Sequence, residues 1–152
     1  GAIRPGYTPI HDAISRLAEL GAPNRYIVTT GMIVFGLGCI LFAPRLRKPA
    51  VISLTVSGLA SFGVALFPCT QGCPGMGSVT DTAHSMFAGL HYVGFALTPV
   101  LHARRPGAIA LVAFAGAALL IHATGVGPNG LFQRVGLTTL DAWLVGTAVR
   151  LR

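Results

Sequence analysis

Residues 26–43 read YIVTTGMIVFGLGCILFA. The run carries no charge, and a helix that spans a bilayer needs about 20 mostly apolar residues. It ends at the basic cluster Arg45, Arg47 and Lys48. The same pattern recurs four more times. A second apolar run covers about 50–67 and stops at Pro68, and a third covers about 82–101 and ends before Arg104 and Arg105. A fourth covers about 107–123 and ends in the turn GVGPNG, and a fifth covers about 131–149 and ends with Arg150 and Arg152. Composition agrees: 10% of the 152 residues are charged, against about 25% in a soluble domain, and mean hydropathy is +0.70. So few charges cannot cover the surface of a globule in water. The expectation is an all-α, polytopic transmembrane bundle of five spanning helices, forming one membrane domain over residues 1–152.

The net charge of +7 could suggest a nucleic-acid partner. The positions of the charges exclude it, because they cluster at the ends of apolar segments, where topology signals belong. Arg45, Arg47, Lys48, Arg104, Arg105, Arg150 and Arg152 fall on one side. The other side holds only Arg4, Arg16 and Arg25, diluted by Asp12 and Glu19. The expected setting is the bacterial inner membrane, with the C-terminus cytoplasmic. Residues 1–25, the 68–80 loop and the 124–130 turn are then extracytoplasmic. Expected partners are membrane lipids and a larger membrane protein complex. Residues 9–21, PIHDAISRLAELG, read as a short amphipathic helix with Ile10, Ile14 and Leu17 on one side. Thirteen residues are too few to span, so an interfacial helix is expected. The chain opens on Gly1 rather than Met, and a further segment upstream is expected.

Residues that could carry chemistry are few. His84, His91 and His102 are seven and eleven residues apart; at 100° per residue each step returns to within about 20°, so the three form one stripe about 27 Å long. Asp81 lies one turn before His84. Arg134, Thr138 and Asp141 share a face of the fifth segment at i, i+4, i+7 spacing. Ionisable groups are costly in lipid, and pairing offsets that cost. The third and fifth helices are therefore expected to face each other. Arg134 would meet Asp81 or His84 near the outer surface, and His91 would pair with Asp141 deeper in. His122 ends the fourth helix at the outer level and joins Asp81, His84 and Arg134 as a candidate polar site. His11, Asp12, Ser15 and Arg16 lie on the same side and read singly as surface residues, while His102 reads as interfacial. The small stripe Ser53, Ser57, Ser61 and the AGAA run of the fourth helix suit close helix packing.

Cys69 and Cys73 lie in the outer loop, which is oxidising in most bacteria, so a disulfide is expected, with two free thiols as the alternative. Two cysteines at this spacing do not make a zinc site on their own, and no metal is expected. Cys39 reads as a packing residue. There is no phosphate loop, nucleophile elbow or HExxH motif.

Three stretches carry a resemblance: RPGYTPIHDAISRLAELGAPNR at 4–25, DTAHSMFAGLHYVGFALTPVLHARR at 81–105, and GLFQRVGLTTLDAWLVGTAVRLR at 130–152. The chain resembles, over nearly its whole length, the bacterial membrane proteins grouped as domain of unknown function 998. The family pattern falls on Pro5, Gly6, Tyr7 and Pro9, on Ser15 and Leu17, and on His84 or His91. It continues on Gly130, Leu131, Gln133 and Arg134, and on Trp143. The resemblance implies six helices, one of them before the Pro-Gly-Tyr entry. It implies no activity.

Three readings of function stand open. The first is a non-catalytic membrane protein, either an accessory or scaffold subunit or a small-molecule or lipid binder. The second is a membrane enzyme or proton-coupled carrier built on Asp81, His84, His122 and Arg134. The third is binding of haem or a chlorophyll-type pigment, through His84 and His122 or through His91 alone. A three-histidine zinc hydrolase is the least supported, because the histidine stripe spreads its ligands apart.

Overall fold

A computed structural model describes residues 4–103 and 105–151; Arg104 and Arg152, used above as topology signals, lie outside the described residues. The described residues contain five α-helices: α1 (Arg25–Phe42), α2 (Lys48–Leu66), α3 (Val79–Ala103), α4 (Pro106–Ala123) and α5 (Asn129–Arg150). Pro49 and Pro106 stand in the first turns of α2 and α4, where the missing N–H costs nothing and the fixed φ favours helix entry. Ser78 starts α3 as a capping side chain does: its hydroxyl accepts the Asp81 amide at 3.1 Å.

Four helices, α1 to α4, are long and apolar enough to cross a membrane. α5 is 22 residues long but falls short in apolarity, because Gln133, Arg134, three threonines and Asp141 interrupt it. The five expected helices are therefore present, and four of them meet the requirement for a span. The outward faces are apolar: Tyr26, Leu66 and Leu120 are each at least 70% exposed. Such side chains gain nothing from water and are at home against lipid.

The amphipathic helix expected over residues 9–21 does not form. That segment holds only a 3-10 turn, Ile14–Leu17, and Ile10, placed above on one side with Ile14 and Leu17, is 53% exposed. Local polar bonds win over helix formation here. Asp12 accepts the Thr8 amide at 2.7 Å, and Gln133 of α5 takes the Ile14 amide at 2.6 Å. An amide spent on a distant side chain cannot join an α-helical ladder.

Packing between helices is close because small residues face each other. α2 runs between α1 and α3, and α4 packs on both α3 and α5. At the α1/α2 crossing, a Cβ on Gly36 would lie 2.6 Å from the Gly58 carbonyl oxygen, and one on Gly58 2.7 Å from that of Gly36. Only glycine permits that approach. The serine stripe of α2 bonds outward to both neighbours. Ser53 donates to the Gly94 carbonyl at 2.7 Å, Ser57 to the His91 carbonyl at 3.1 Å, and Ser61 to the Met32 carbonyl at 2.9 Å. Cys39, Leu54, Phe95 and Leu140 form the buried core of the half of the bundle away from the 67–78 loop. By contrast, α3 and α5 meet only locally, and α1 and α5 do not pack substantially together. The space they leave is the site.

Candidate functional site

The loop end of the bundle is ringed by a polar collar. Arg134, one turn into α5, donates through Nη1 to the carbonyls of Pro9, Asp12 and Gly130 at 2.6, 3.0 and 2.9 Å, and through Nη2 to the Tyr7 hydroxyl. It thereby clamps residues 7–12 onto the start of α5. Gly130 makes room, since a Cβ there would lie 2.2 Å from the Asp12 carbonyl oxygen. Glu19, 1% exposed, accepts from Arg4 at 2.5 Å and from the Gly72 amide at 2.9 Å. It ties the N-terminal segment to the 67–78 loop, and its hydrogen bond raises the Arg4 pKa above its usual value. Burial pushes the Asp12 carboxyl up, but the Thr8 amide and the Arg16 charge outweigh it and hold the group below the usual carboxylate range. Cys69 and Cys73 are joined by a disulfide. Asp81, 1% exposed, accepts the Thr70 amide at 2.7 Å and the Ser78 hydroxyl at 2.7 Å.

The structure therefore gives two members of the candidate polar site other work. Arg134 holds the N-terminal segment and does not meet Asp81 or His84. Asp81 anchors the disulfide loop. His91 does not bond to Asp141; its Nδ1 lies 2.9 Å from the Ser57 hydroxyl. The expectation rested on matched depths and on charges seeking opposite charges. In the fold, hydroxyls and main-chain amides and carbonyls serve as partners instead, and these are invisible in a list of charged residues.

His84 and His122 do come together, in the wall of a cavity of about 560 Å³ at the loop end. His11, Asp12, Ser15 and Arg16 line the same vestibule, so residues that read singly as surface positions belong to one wall. His84 Nδ1 lies 2.8 Å from the Phe67 carbonyl oxygen. A carbonyl only accepts, so Nδ1 carries the proton and Nε2 is left as an acceptor. His122 Nδ1 contacts the side-chain oxygen of Asn129 and is fixed in the same tautomer. Two imidazoles held this way present lone pairs to a ligand that donates hydrogen bonds.

A second cavity of about 290 Å³ lies deeper, between α1, α3 and α5. Its wall is largely apolar, with Val28, Met32, Phe35, Phe95 and Leu137 among its residues, and it also includes His91 and Asp141. Ser15, His84, Ala88 and Tyr92 line both cavities. Gln133, 3% exposed, stands at this junction and donates to the Tyr92 hydroxyl at 2.6 Å. With its carbonyl on the Ile14 amide, it fixes the junction from both sides. Sequence reasoning reached Gln133 only through the family pattern and missed Tyr92 and Glu19, since an aromatic in an apolar helix and a lone acid in a polar segment carry no signal of their own. His102 is remote from both cavities, edge-on to Trp143 at 6.0 Å. Among the described residues, no group of three His, Cys, Asp or Glu side chains converges as a metal site.

This arrangement can hold a molecule and offer it hydrogen-bond partners. The Ser85 hydroxyl is spent on the Gly75 carbonyl at 2.7 Å, and the Ser57 hydroxyl beside His91 donates to the His91 carbonyl at 3.1 Å. The model of the family described as "Protein of unknown function (DUF998)" matches residues 1–150, and the chain belongs to that family. Neither a curated protein nor a solved structure matches it.

Proposed function

We propose that this is a multi-pass protein of the bacterial inner membrane that binds a small, largely apolar molecule, admitted through the polar vestibule on the extracytoplasmic side. One observation carries the reading: Ser15, His84, Ala88 and Tyr92 belong to the walls of both cavities. A polar vestibule that abuts an apolar chamber suits a ligand arriving from water or the headgroup layer and settling among helices. The orientation rests on the charges. Arg45, Arg47, Lys48, Arg105 and Arg150 lie at the end opposite the vestibule, which puts that end in the cytoplasm by the positive-inside rule. Membrane lipids surround the bundle in this reading and are also the nearest source of apolar ligands.

The test is extraction of the protein from its own membrane in mild detergent, followed by mass spectrometry of the small molecules that accompany it. Ala88 lines both cavities, so Ala88→Trp should block their junction. The expected result is a near-stoichiometric molecule in the wild type that is lost from A88W. A wild-type protein that carries none, and takes up none from a lipid extract of the same cells, would sink the reading.

A further inference from the structure

The chain has four acidic residues, and three are fully engaged. Asp12 is held by Thr8 and Arg16, Glu19 by Arg4 and Gly72, and Asp81 by Thr70 and Ser78. Asp141 has no hydrogen bond and no ion pair among the described residues. It lines the deeper cavity. Asp141 is twelve residues into α5 and His91 twelve residues into α3, about 18 Å along each helix at 1.5 Å per residue. The carboxylate therefore lies about midway along α5, half-buried, at a depth where an unpaired charge is expensive.

The cavity that Asp141 lines is also lined by aromatic side chains. Phe35 lies 5.7 Å from His91 and 5.4 Å from Phe95 between ring centroids, and His91 lies 5.7 Å from both Tyr92 and Phe95. All four rings line the cavity with Asp141. No lysine or arginine among the described residues lines it. A carboxylate and aromatic rings in the wall of one apolar chamber attract a cation that is itself mostly hydrocarbon, and the carboxylate repels an anion. The chamber, about 290 Å³, is just below the usual range of ligand pockets, about 300–1,000 Å³, which limits it to a small molecule.

From this geometry we infer that the ligand class is a small hydrophobic amine, bound with its ammonium against Asp141 and its apolar body among Phe35, Phe95, Met32 and Leu137. The inference rests on the reading of the cavity as a small-molecule site and names what that site selects.

The test uses the full chain in lipid nanodiscs, with empty nanodiscs as the blank, and two probes of one shape. One is 4-phenylbutylamine, and the other is 4-phenylbutan-1-ol, its neutral counterpart. Titration calorimetry should show the amine binding about tenfold more tightly than the alcohol. Asp141→Asn should abolish that preference, and Asp141→Glu should retain it. Equal binding of the two probes by the wild type, or a preference that survives in D141N, overturns the amine proposal alone. Binding of neither probe overturns the cavity reading with it. If D141N does not fold, the wild-type ratio and D141E decide: a preference present in both supports the proposal, and its absence from either overturns it.

Discussion

Replacing Arg134 with Met keeps the length and apolar stem of the side chain and removes its charge and donors. The structure says what is lost: three bonds to main-chain oxygens, at 2.6, 2.9 and 3.0 Å, and the contact with the Tyr7 hydroxyl. A hydrogen bond to a charged group contributes about 1.5–3 kcal/mol net. Four bonds to one guanidinium do not add, and water takes over part of the work at a half-open site. A loss of about 2–4 kcal/mol is therefore expected, confined to the attachment of residues 7–14. The helices themselves lose no packing, so the effect should be local opening and not global unfolding. Amide hydrogen exchange reads this directly. The His11, Asp12 and Ile14 amides are bonded to the Thr8 carbonyl, the Thr8 carbonyl and Gln133 at 3.1, 2.8 and 2.6 Å. Their protection should fall roughly 30- to 700-fold in R134M, at tenfold per 1.4 kcal/mol, while amides in the middle of α2 keep theirs. Arg134→Lys should recover only part, because one ammonium cannot reach all the partners of a planar fork. Protection of residues 11–14 unchanged to within threefold, or an equal loss throughout α2, would refute the clamp.

Two further outcomes follow from the same geometry. Gly58→Ala puts a methyl 2.7 Å from the Gly36 carbonyl oxygen and 2.9 Å from an Ile40 side-chain carbon, so α1 and α2 must move apart at a cost of about 1–3 kcal/mol. Gly38→Ala meets nothing within 4 Å, and thermal melts in one detergent should show G58A clearly destabilised and G38A close to wild type; equal melting temperatures would remove the α1/α2 contact from the argument. Asp12 is held below the usual carboxylate range, so its ties stabilise the segment above the ordinary value of about 4 and are lost as pH falls through the lowered folded value. The stability gap between wild type and Asp12→Asn should thus be present at neutral pH and close on acidification; a gap that persists or widens in acid contradicts the sign.

The helices were legible because hydrophobic runs and their charged ends are one-dimensional signals. The run at 26–43 and the basic cluster after it need no partner to be read. The N-terminal segment was not legible, because its conformation is set by Arg134 and Gln133, more than a hundred residues away in sequence. Ile10, Ile14 and Leu17 have helical spacing, yet the Ile14 amide goes to Gln133 and Ile10 stays outside. Pattern alone cannot see that a donor has been claimed elsewhere. The stripe of Ser53, Ser57 and Ser61 shows the opposite case. Small polar residues four apart read as a packing face, and they bond to carbonyls of α1 and α3 because those carbonyls are what a close-packed neighbour presents.

The depth argument for α3 and α5 failed and succeeded in the same place. Equal seven-residue steps down from His84 and from Arg134 placed His91 and Asp141 at one level, and both do line one cavity. The inference that they must bond assumed that the bundle closes between them. It does not, because Ser57 on α2 had already taken His91, and α1 and α5 leave a gap in front of α3. A polar residue expected to be satisfied by its neighbour is instead left facing a space. The same inward-facing residues, Gln133 at 3% exposure among them, explain why α5 falls short of the apolarity of the other four helices. Its composition reflects the cavity and the collar that it builds. A helix of this kind is recognised less by its mean hydropathy than by which face its polar residues share. On α5 that face carries the Arg134 clamp at one end and Asp141 in the chamber below.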